Sequence, residues 1–218
     1  IPAHCPSKAF ADLNTDRWYH EYTDYVIARE LMNGMDETHF APEGSLTRGM
    51  LVTTLYRLAG EPEVAEPATF SDVKAGRYYA EAVAWAEDLG IAKGMTATTF
   101  APDSNITREQ MAVIMKNYAD KMGYSIPKTL EAVTFADNAQ ISSWAKDAVK
   151  AMQQAGVLSG KENNRFDPQG SATRAEAATV LHRFVEIVID PQSANGWQQN
   201  DSGEWSYYKD GKPVKGWL

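Results

Sequence analysis

An arginine directly follows a helix-capping threonine at three places in this sequence: Arg48, Arg108 and Arg174. The first amides of a helix carry roughly half a positive charge, so a cation there is unfavourable unless an anion or a carboxylate lies close to it. A planar guanidinium can hold a carboxylate through two parallel hydrogen bonds, and nearby helix amides add donors of the same sign. The pattern therefore indicates either a carboxylate-binding site or an ion pair at each helix start.

The three arginines belong to an internal repeat. The segments "FADL" at 10, "FSDV" at 70 and "FADN" at 135 precede "FAPEGSLTR", "FAPDSNITR" and "FDPQGSATR", and the paired phenylalanines are 30, 30 and 31 residues apart. Repeats this short cannot bury their own apolar stripes, so the copies must pack together. We predict copy one at 1–60, copy two at 61–123, copy three at 124–190 and a separate tail at 191–218.

We predict two helices in each copy. The second helix begins at the threonine that precedes the motif arginine. In copy two Thr107 and Gln110 have the spacing of a capping box, and in copy three Thr173 and Glu176 have it. Copy one has Met50 where the box needs a glutamate or glutamine. We therefore expect the N-terminus of its second helix to be less stable than those of the other two.

Composition excludes several classes of function. A net charge of −8 argues against nucleic acid as a partner, because duplex binding needs a basic face. The sequence contains no run of about 18 apolar residues, so we predict no membrane span.

The opening "IPAHCPSKAF" lacks the features of a secretory signal, and we expect the chain to be a piece of a longer protein. The single cysteine, Cys5, fits either a reduced compartment or a bacterial surface protein.

No motif indicates catalysis, a metal or a cofactor. The histidines show no metal-ligand spacing, and no nucleophile, zinc-protease or phosphate-loop motif is present. The stretch "DLNTDR" begins like a calcium loop, but Arg17 replaces the required glycine and Thr23 the bidentate glutamate. We predict that this chain is not an enzyme, binds no metal and needs no cofactor.

The triplicated opening, the central F-x-P and the T-R-x-E helix start resemble S-layer homology domains over about residues 8 to 188. The resemblance implies an all-α, pseudo-threefold, three-pronged unit whose copies each contribute a helix to a central bundle. It also implies grooves between copies that hold secondary cell-wall polysaccharide, typically through pyruvylated N-acetylmannosamine. The implied role is non-covalent anchoring at the cell wall of a Gram-positive-type bacterium, outside the cell.

The resemblance also assigns carbohydrate-binding positions. They are the motif arginine, the early aspartate and the aromatic residue after it, which fall on Arg48, Arg108 and Arg174, on Asp12, Asp72 and Asp137, and on Trp18, Tyr78 and Trp144. Copy one departs from the pattern at Gly49 and Met50. The resemblance therefore favours binding at Arg108 and Arg174 over Arg48.

A structural alternative stays open. Each arginine could pair with the aspartate of its own copy, and the unit would then be an assembly module that mediates protein contacts. Aromatic residues on helix stripes are more often core than ligand contacts, so we expect a stacking role for one aromatic residue per groove. Trp85 is predicted to be a packing residue.

The tail after Asp190 follows a different pattern. Glycine turns separate aromatic runs, and "KDGK" is a hairpin signal, so we predict a small β-hairpin. The segment resembles one repeat of choline-binding and glucan-binding surface proteins, since two tryptophans lie 20 residues apart. Its candidate residues are Trp197, Trp205, Tyr207, Tyr208 and Trp217. A second alternative is therefore wall attachment mainly through this tail, with choline or glucan as the partner.

Overall fold

The computed structural model describes residues 5–191 in full and, beyond them, the backbone of segments 196–199, 205–209 and 212–213. The regular elements within residues 5–191 are all helices, which confirms the all-α prediction for this part of the chain. Their α-helices are α1 (His20–Ala28), α2 (Arg48–Leu58), α3 (Ala80–Asp88), α4 (Arg108–Met122), α5 (Lys146–Ala155) and α6 (Arg174–Phe184). None of the described helices is both long enough and apolar enough to cross a membrane.

Shorter helical turns complete this part of the chain. They are 3-10 turns at Pro6–Ala9, Asn138–Gln140 and Glu162–Asn164, and a π turn at Val185–Ile189 that continues α6. Gly90 follows the C-cap residue of α3 with a φ of 68°, in the left-handed region that glycine tolerates, and the helix ends there.

The second helix of each copy begins at the motif arginine. In α4 the Thr107 hydroxyl accepts from the Gln110 amide, and the Gln110 side chain accepts from the Thr107 amide, both at 3.3 Å. Thr173 and Glu176 form the same reciprocal pair in α6. Both predicted capping boxes are confirmed. In α2 the Met50 amide reaches Thr47 Oγ1 at 3.2 Å, but Met50 has no oxygen with which to return the bond.

Helices of different copies pack against each other. The first helix of each copy contacts the second helix of another copy: α3 packs on α2, α5 on α4 and α1 on α6. Aromatic contacts continue this packing from Tyr56 through Trp85 and Tyr118 to Phe184, with ring centroids 5.5 to 6.1 Å apart. Trp85 is buried, as predicted. The core is therefore shared among the copies, and it needs all three.

The loops before the second helices also join the copies. Isolated antiparallel bridges connect Ser45 with Thr173, Thr47 with Asn105, and Thr107 with Ser171. Each of the three loops therefore pairs with both of the others. These bridges place the three helix starts beside one another.

The tail contains three short antiparallel strands, β1 (Gly196–Gln199), β2 (Trp205–Lys209) and β3 (Lys212–Pro213), in that order. Trp197 is paired with Tyr207, and Lys209 with Lys212. The side chains of the five tail candidates lie outside the described residues. Their proposed binding role stays a prediction.

The capping boxes predict a graded loss of stability. We expect the double variant Thr107→Ala/Gln110→Ala to lower the free energy of unfolding by about 1–2 kcal/mol, because it removes both side-chain acceptors of a box. Thr47→Ala should cost less, since only one bond is lost. Urea unfolding followed by circular dichroism measures both losses. A loss for Thr47→Ala equal to or above that for the double variant Thr107→Ala/Gln110→Ala would contradict this account.

Candidate functional site

The motif arginines are buried and reach into another copy. Arg108 Nε donates to the carbonyl of Phe166 at 2.8 Å, and its Nη2 donates to the carbonyl of Ser159 at 2.7 Å. The guanidinium carbon lies 4.9 Å from the centroid of the Phe166 ring, within cation–π range. Arg108 of copy two is therefore fixed on copy three.

The other two arginines repeat this geometry around a closed cycle. The carbonyl acceptors are Phe100 and Lys93 for Arg48, and Phe40 and Asn33 for Arg174. Copy one thus reaches copy two, copy two reaches copy three, and copy three reaches copy one. The three arginine residues are only 3%, 7% and 4% exposed, in chain order.

Backbone amides at the helix starts use the same neighbouring loops. In α4 the amide of Arg108 donates to Gly170 and that of Glu109 to Pro168, at 3.0 and 3.1 Å. The positive helix start and the guanidinium beside it are therefore both satisfied by carbonyl oxygens of the next copy. The alternative in which each arginine pairs with the aspartate of its own copy is wrong.

The early aspartates hold the turn that supplies these carbonyls. Asp137 accepts from the amides of Phe166 and Asp167 at 2.8 Å each. Asp12 and Asp72 bond the equivalent turns at Phe40 and Phe100 in the same way. The residue after each phenylalanine has a φ of 57 to 59° without being glycine, a costly conformation that the aspartate stabilises.

Burial shifts the pKa values of the early aspartates and of the motif arginines. Desolvation, the largest influence on Asp72 and Asp137, raises the pKa, but hydrogen bonds from backbone amides outweigh it and leave each pKa below its ordinary value. Desolvation lowers the pKa of Arg174 to about 10, against the opposing effects of Tyr78 and Asp12. Arg174 therefore still carries its charge at neutral pH.

Arg108 lines a groove in which all three copies meet. Its volume is about 190 Å³. Trp18 comes from copy one and Arg108 from copy two, and copy three supplies the remaining lining residues: Val157, Leu158, Ser159, Gly160, Lys161, Glu176, Thr179, Val180 and Arg183. We call this the Arg108 groove.

The Arg108 groove is rich in cations. Lys161 is paired with Asp167 at 2.9 Å, whereas Arg183 makes no ion pair with the part of the chain that the structure describes. Arg108 Nη1 has no hydrogen-bond partner among residues 5–191. This nitrogen is not fully buried, so a ligand can reach it. With Nε and Nη2 occupied, Nη1 is the nitrogen that remains for a ligand.

The corresponding positions beside the other two arginines are less cationic. Lys161 follows Gly160, and its counterparts after Gly94 and Gly34 are Met95 and Met35. Near Arg174, the Met50 sulfur lies 3.6 Å from Nη1 and covers the nitrogen that stays open in Arg108. The irregular residue of copy one therefore affects the arginine of copy three.

That arrangement differs from the one on which the ranking of the arginines was based, and the ranking itself stays a prediction. The sequence favoured Arg174 over Arg48 on the assumption that each arginine works with the capping box of its own copy. The structure instead places Arg174 beside Met50, whereas Arg108 shares its groove with the regular box residue Glu176. Arg108 therefore combines a regular capping-box residue in its groove with an Nη1 that no methionine covers, whereas Arg174 does not.

The predicted aromatic positions are exposed. Trp18, Tyr78 and Trp144 are 55%, 52% and 58% exposed, while the residue after each of them is buried. Trp18 lies against the Arg108 groove, and Tyr78 is close enough to Arg174 to raise its pKa. The fold therefore leaves these three aromatic side chains accessible at the surface, and their stacking role stays a prediction.

A larger depression of about 570 Å³ lies at the turn of copy one. It is lined in part by Asp12, Arg17 and Glu43, and the last two are 3.9 Å apart. Two carboxylates against one arginine do not suit an anionic ligand. The Arg108 groove is the better candidate despite its smaller volume.

The structure also brings together three residues to which the sequence assigned no role. Cys5, His20 and Asp24 converge at the beginning of α1. The four-residue spacing of His20 and Asp24 on one helix face was the available signal. Nothing in the sequence pointed to Cys5 as their neighbour.

A known protein family matches a segment in each of the three copies. The S-layer homology domain matches residues 9–49, 69–112 and 134–178, more than half of the chain. The chain belongs to the S-layer homology family. Membership confirms the predicted location at the bacterial cell wall and surface, and it supports cell-wall anchoring by a non-catalytic module.

Relatives include proteins of different kinds. The chain is 32% identical to an amylopullulanase of Thermoanaerobacterium thermosulfurigenes over 82% of its own length and 10% of the relative. It is 30% identical to a surface-layer 125 kDa protein of Lysinibacillus sphaericus, over 77% of the chain and 14% of the relative. It is 26% identical to a cellulosome-anchoring protein of Acetivibrio thermocellus, over 78% of the chain and 40% of the relative. The chain thus spans between 10% and 40% of the length of these three relatives.

The arginine geometry predicts a large effect of a conservative change. Arg108→Lys should lower the free energy of unfolding by about 1–3 kcal/mol, because an ammonium cannot reproduce the planar pair of bonds to Phe166 and Ser159. Arg183→Lys, which changes an arginine without an ion pair in the described chain, is the matched control. Urea unfolding of the two variants should separate them. Equal stability would contradict the structural role of Arg108.

The aspartates predict a loss of stability in acid. A carboxyl pKa that is lower in the folded state contributes stability at neutral pH, and this is lost as the pH falls from about 4 through the folded-state pKa. We therefore expect the melting temperature to drop below about pH 4, and Asp137→Asn to flatten this dependence while lowering stability at pH 7. Asp103→Asn, at an exposed site, is the control. An unchanged slope in Asp137→Asn would contradict the assignment.

Proposed function

We propose that the chain attaches its parent protein non-covalently to the cell wall by binding an acidic secondary cell-wall polysaccharide, of the pyruvylated N-acetylmannosamine type. The observation that carries the proposal is the Arg108 groove. There an exposed tryptophan, a motif arginine with a free donor and two further cationic side chains line one cavity.

Each part of the groove matches a part of such a sugar. A pyruvate ketal carries a carboxylate, which Arg108 Nη1 and Arg183 would hold through charge-assisted hydrogen bonds. The indole of Trp18 offers an apolar plane to the C–H face of a sugar ring. Glu176 is already engaged as an acceptor in the capping box of α6, so it competes less for the cations.

The remaining predicted sites complete the proposal. Arg48 with Trp144, and Arg174 with Tyr78, would bind the same polymer more weakly, because methionines replace polar groups at Met95, Met35 and Met50. The aspartates Asp12, Asp72 and Asp137 position the turns on which the arginines are held. Several weak sites on one polymer raise its residence time far above that of a single contact.

We also propose the overall arrangement that the resemblance implies: a pseudo-threefold, three-pronged unit with a central helical bundle. The cyclic contacts of the arginines and the three loop bridges support it. The boundaries proposed for the copies remain 1–60, 61–123 and 124–190. We propose no reaction for this chain, whose match covers only a small share of the amylopullulanase.

A structural role of the arginines has its own support. Arg48, Arg108 and Arg174 each use two donors within the protein, so they connect copies whether or not a ligand binds. The assembly alternative needs a partner protein in place of the sugar. It predicts wall retention that is insensitive to the cations of the Arg108 groove.

The tail supplies a further proposal, the binding of choline or glucan through its aromatic residues. It rests on the sequence pattern of 191–218 alone. Deleting these residues and measuring retention on isolated cell walls tests it. Unchanged retention would exclude the tail as the main attachment.

Calorimetric titration tests the groove directly. We expect pyruvylated N-acetylmannosamine to bind, and the unpyruvylated sugar to bind at least about tenfold more weakly. Arg183→Ala should weaken binding of the acidic sugar about tenfold without loss of stability, since its charge is lost from the groove and no ion pair among the described residues is broken. Arg57→Ala is the control at the equivalent position of copy one, because Arg57 stands nine residues after Arg48 as Arg183 does after Arg174. Since Arg57 pairs with Glu61 at 3.8 Å and donates to the carbonyl of Leu31 at 3.4 Å, the stability of this variant is measured alongside its affinity.

Two outcomes would contradict the proposal. One is equal binding of the two sugars, which would remove the role of the carboxylate. The other is an equal effect of Arg57→Ala and Arg183→Ala, which would show that the Arg108 groove is not the binding site.

A further inference from the structure

Three different metal-ligating atoms converge where the chain enters α1. Cys5 Sγ lies 3.1 Å from His20 Nε2 and 3.3 Å from Asp24 Oδ2, and His20 Nε2 lies 3.1 Å from Asp24 Oδ2. The three atoms therefore form a nearly equilateral triangle. All three residues are partly buried.

The surrounding structure holds the triangle in place. His20 and Asp24 are four residues apart in α1, so they lie on one face of the helix. The Ser7 amide donates to Asp24 Oδ1 at 2.7 Å, which fixes the carboxylate and leaves Oδ2 directed at the cluster. Ser7 and Thr23 are buried, and their hydroxyls are 3.1 Å apart, joining the first turn of the chain to α1.

The geometry does not suit nucleophilic catalysis. A cysteine nucleophile needs its histidine to face the thiol with one ring nitrogen and an orienting group with the other. Here Cys5 and Asp24 both contact Nε2 of His20. Three donor atoms around one point are instead the arrangement of metal ligands.

The donor set and its dimensions favour zinc. Bonds of about 2.0–2.3 Å to tetrahedral zinc place neighbouring ligand atoms about 3.3–3.6 Å apart, a few tenths of an ångström beyond the present separations. A thiolate, an imidazole and a carboxylate together select a borderline-soft divalent ion over calcium or magnesium, which prefer oxygen.

We propose that Cys5, His20 and Asp24 bind one divalent transition-metal ion, Zn²⁺ by preference, with water as the fourth ligand. On binding, the Cys5 thiol releases its proton to solvent and its sulfur bonds the metal, while neutral His20 donates the lone pair of Nε2. The ion would tie the first turn of the chain to α1. This site is independent of the Arg108 groove and of the proposed glycan binding.

Cobalt titration of the full chain tests the proposal. We expect one Co²⁺ per chain, with a near-ultraviolet thiolate-to-cobalt absorption band that Zn²⁺ abolishes by displacement. Because Cys5 is the single cysteine of the chain, the band can arise from no other residue. Cys5→Ser and His20→Ala should each abolish the band.

A matched control uses a second histidine–carboxylate pair. His39 Nδ1 lies 3.0 Å from Asp36 Oδ1 at an exposed site, in a cluster without cysteine. His39→Ala should leave the band and the stoichiometry unchanged. Cobalt binding without a thiolate band, or a band that survives in folded His20→Ala, would overturn the proposal.

A measurement on the unmodified protein protects against variants that fail to fold. Zn²⁺ should slow the alkylation of Cys5 by iodoacetamide at least about tenfold, because a coordinated thiolate is shielded, and a chelator should restore the rate. Alkylation at the same rate with and without Zn²⁺ would equally overturn the proposal.

Discussion

A buried guanidinium that finds its acceptors only in another copy is the interaction on which this structure depends. A charge removed from water is very costly unless it is hydrogen-bonded, and each motif arginine meets that requirement with two carbonyls of the next copy. The helix-start amides use the same loop. A single copy therefore leaves its arginine unsatisfied, and the cycle of three supplies acceptors for all of them.

The same constraint makes the grooves unequal. Because each arginine works against the next copy, a groove combines the arginine of one repeat with the capping-box residue of another. Arg108 shares its groove with Glu176, whereas Arg174 meets Met50. Met50, the irregular capping-box residue of copy one, thus alters the surroundings of Arg174, which lies 124 residues away in the sequence. The three arginines therefore share one backbone arrangement but have different neighbouring side chains.

Local features were predictable from the sequence, and contacts between copies were not. The capping boxes at Thr107 and Thr173, and the burial of Trp85, follow from spacings within one helix turn or stripe. The partners of the arginines follow from the order in which the copies close, which no local pattern records. The same reason hid the Cys5 cluster, because the cysteine lies 15 residues from His20.

Removing one copy tests the cyclic account most directly. In a chain of residues 1–123, α1 loses its partner α6, α4 loses α5, and Arg108 loses both of its carbonyl acceptors. Urea unfolding of this fragment and of the full chain, followed by circular dichroism, compares their cooperativity. The account predicts no cooperative transition for the fragment. A transition as sharp as that of the full chain would show that the copies are stable without the cycle, and would contradict the account.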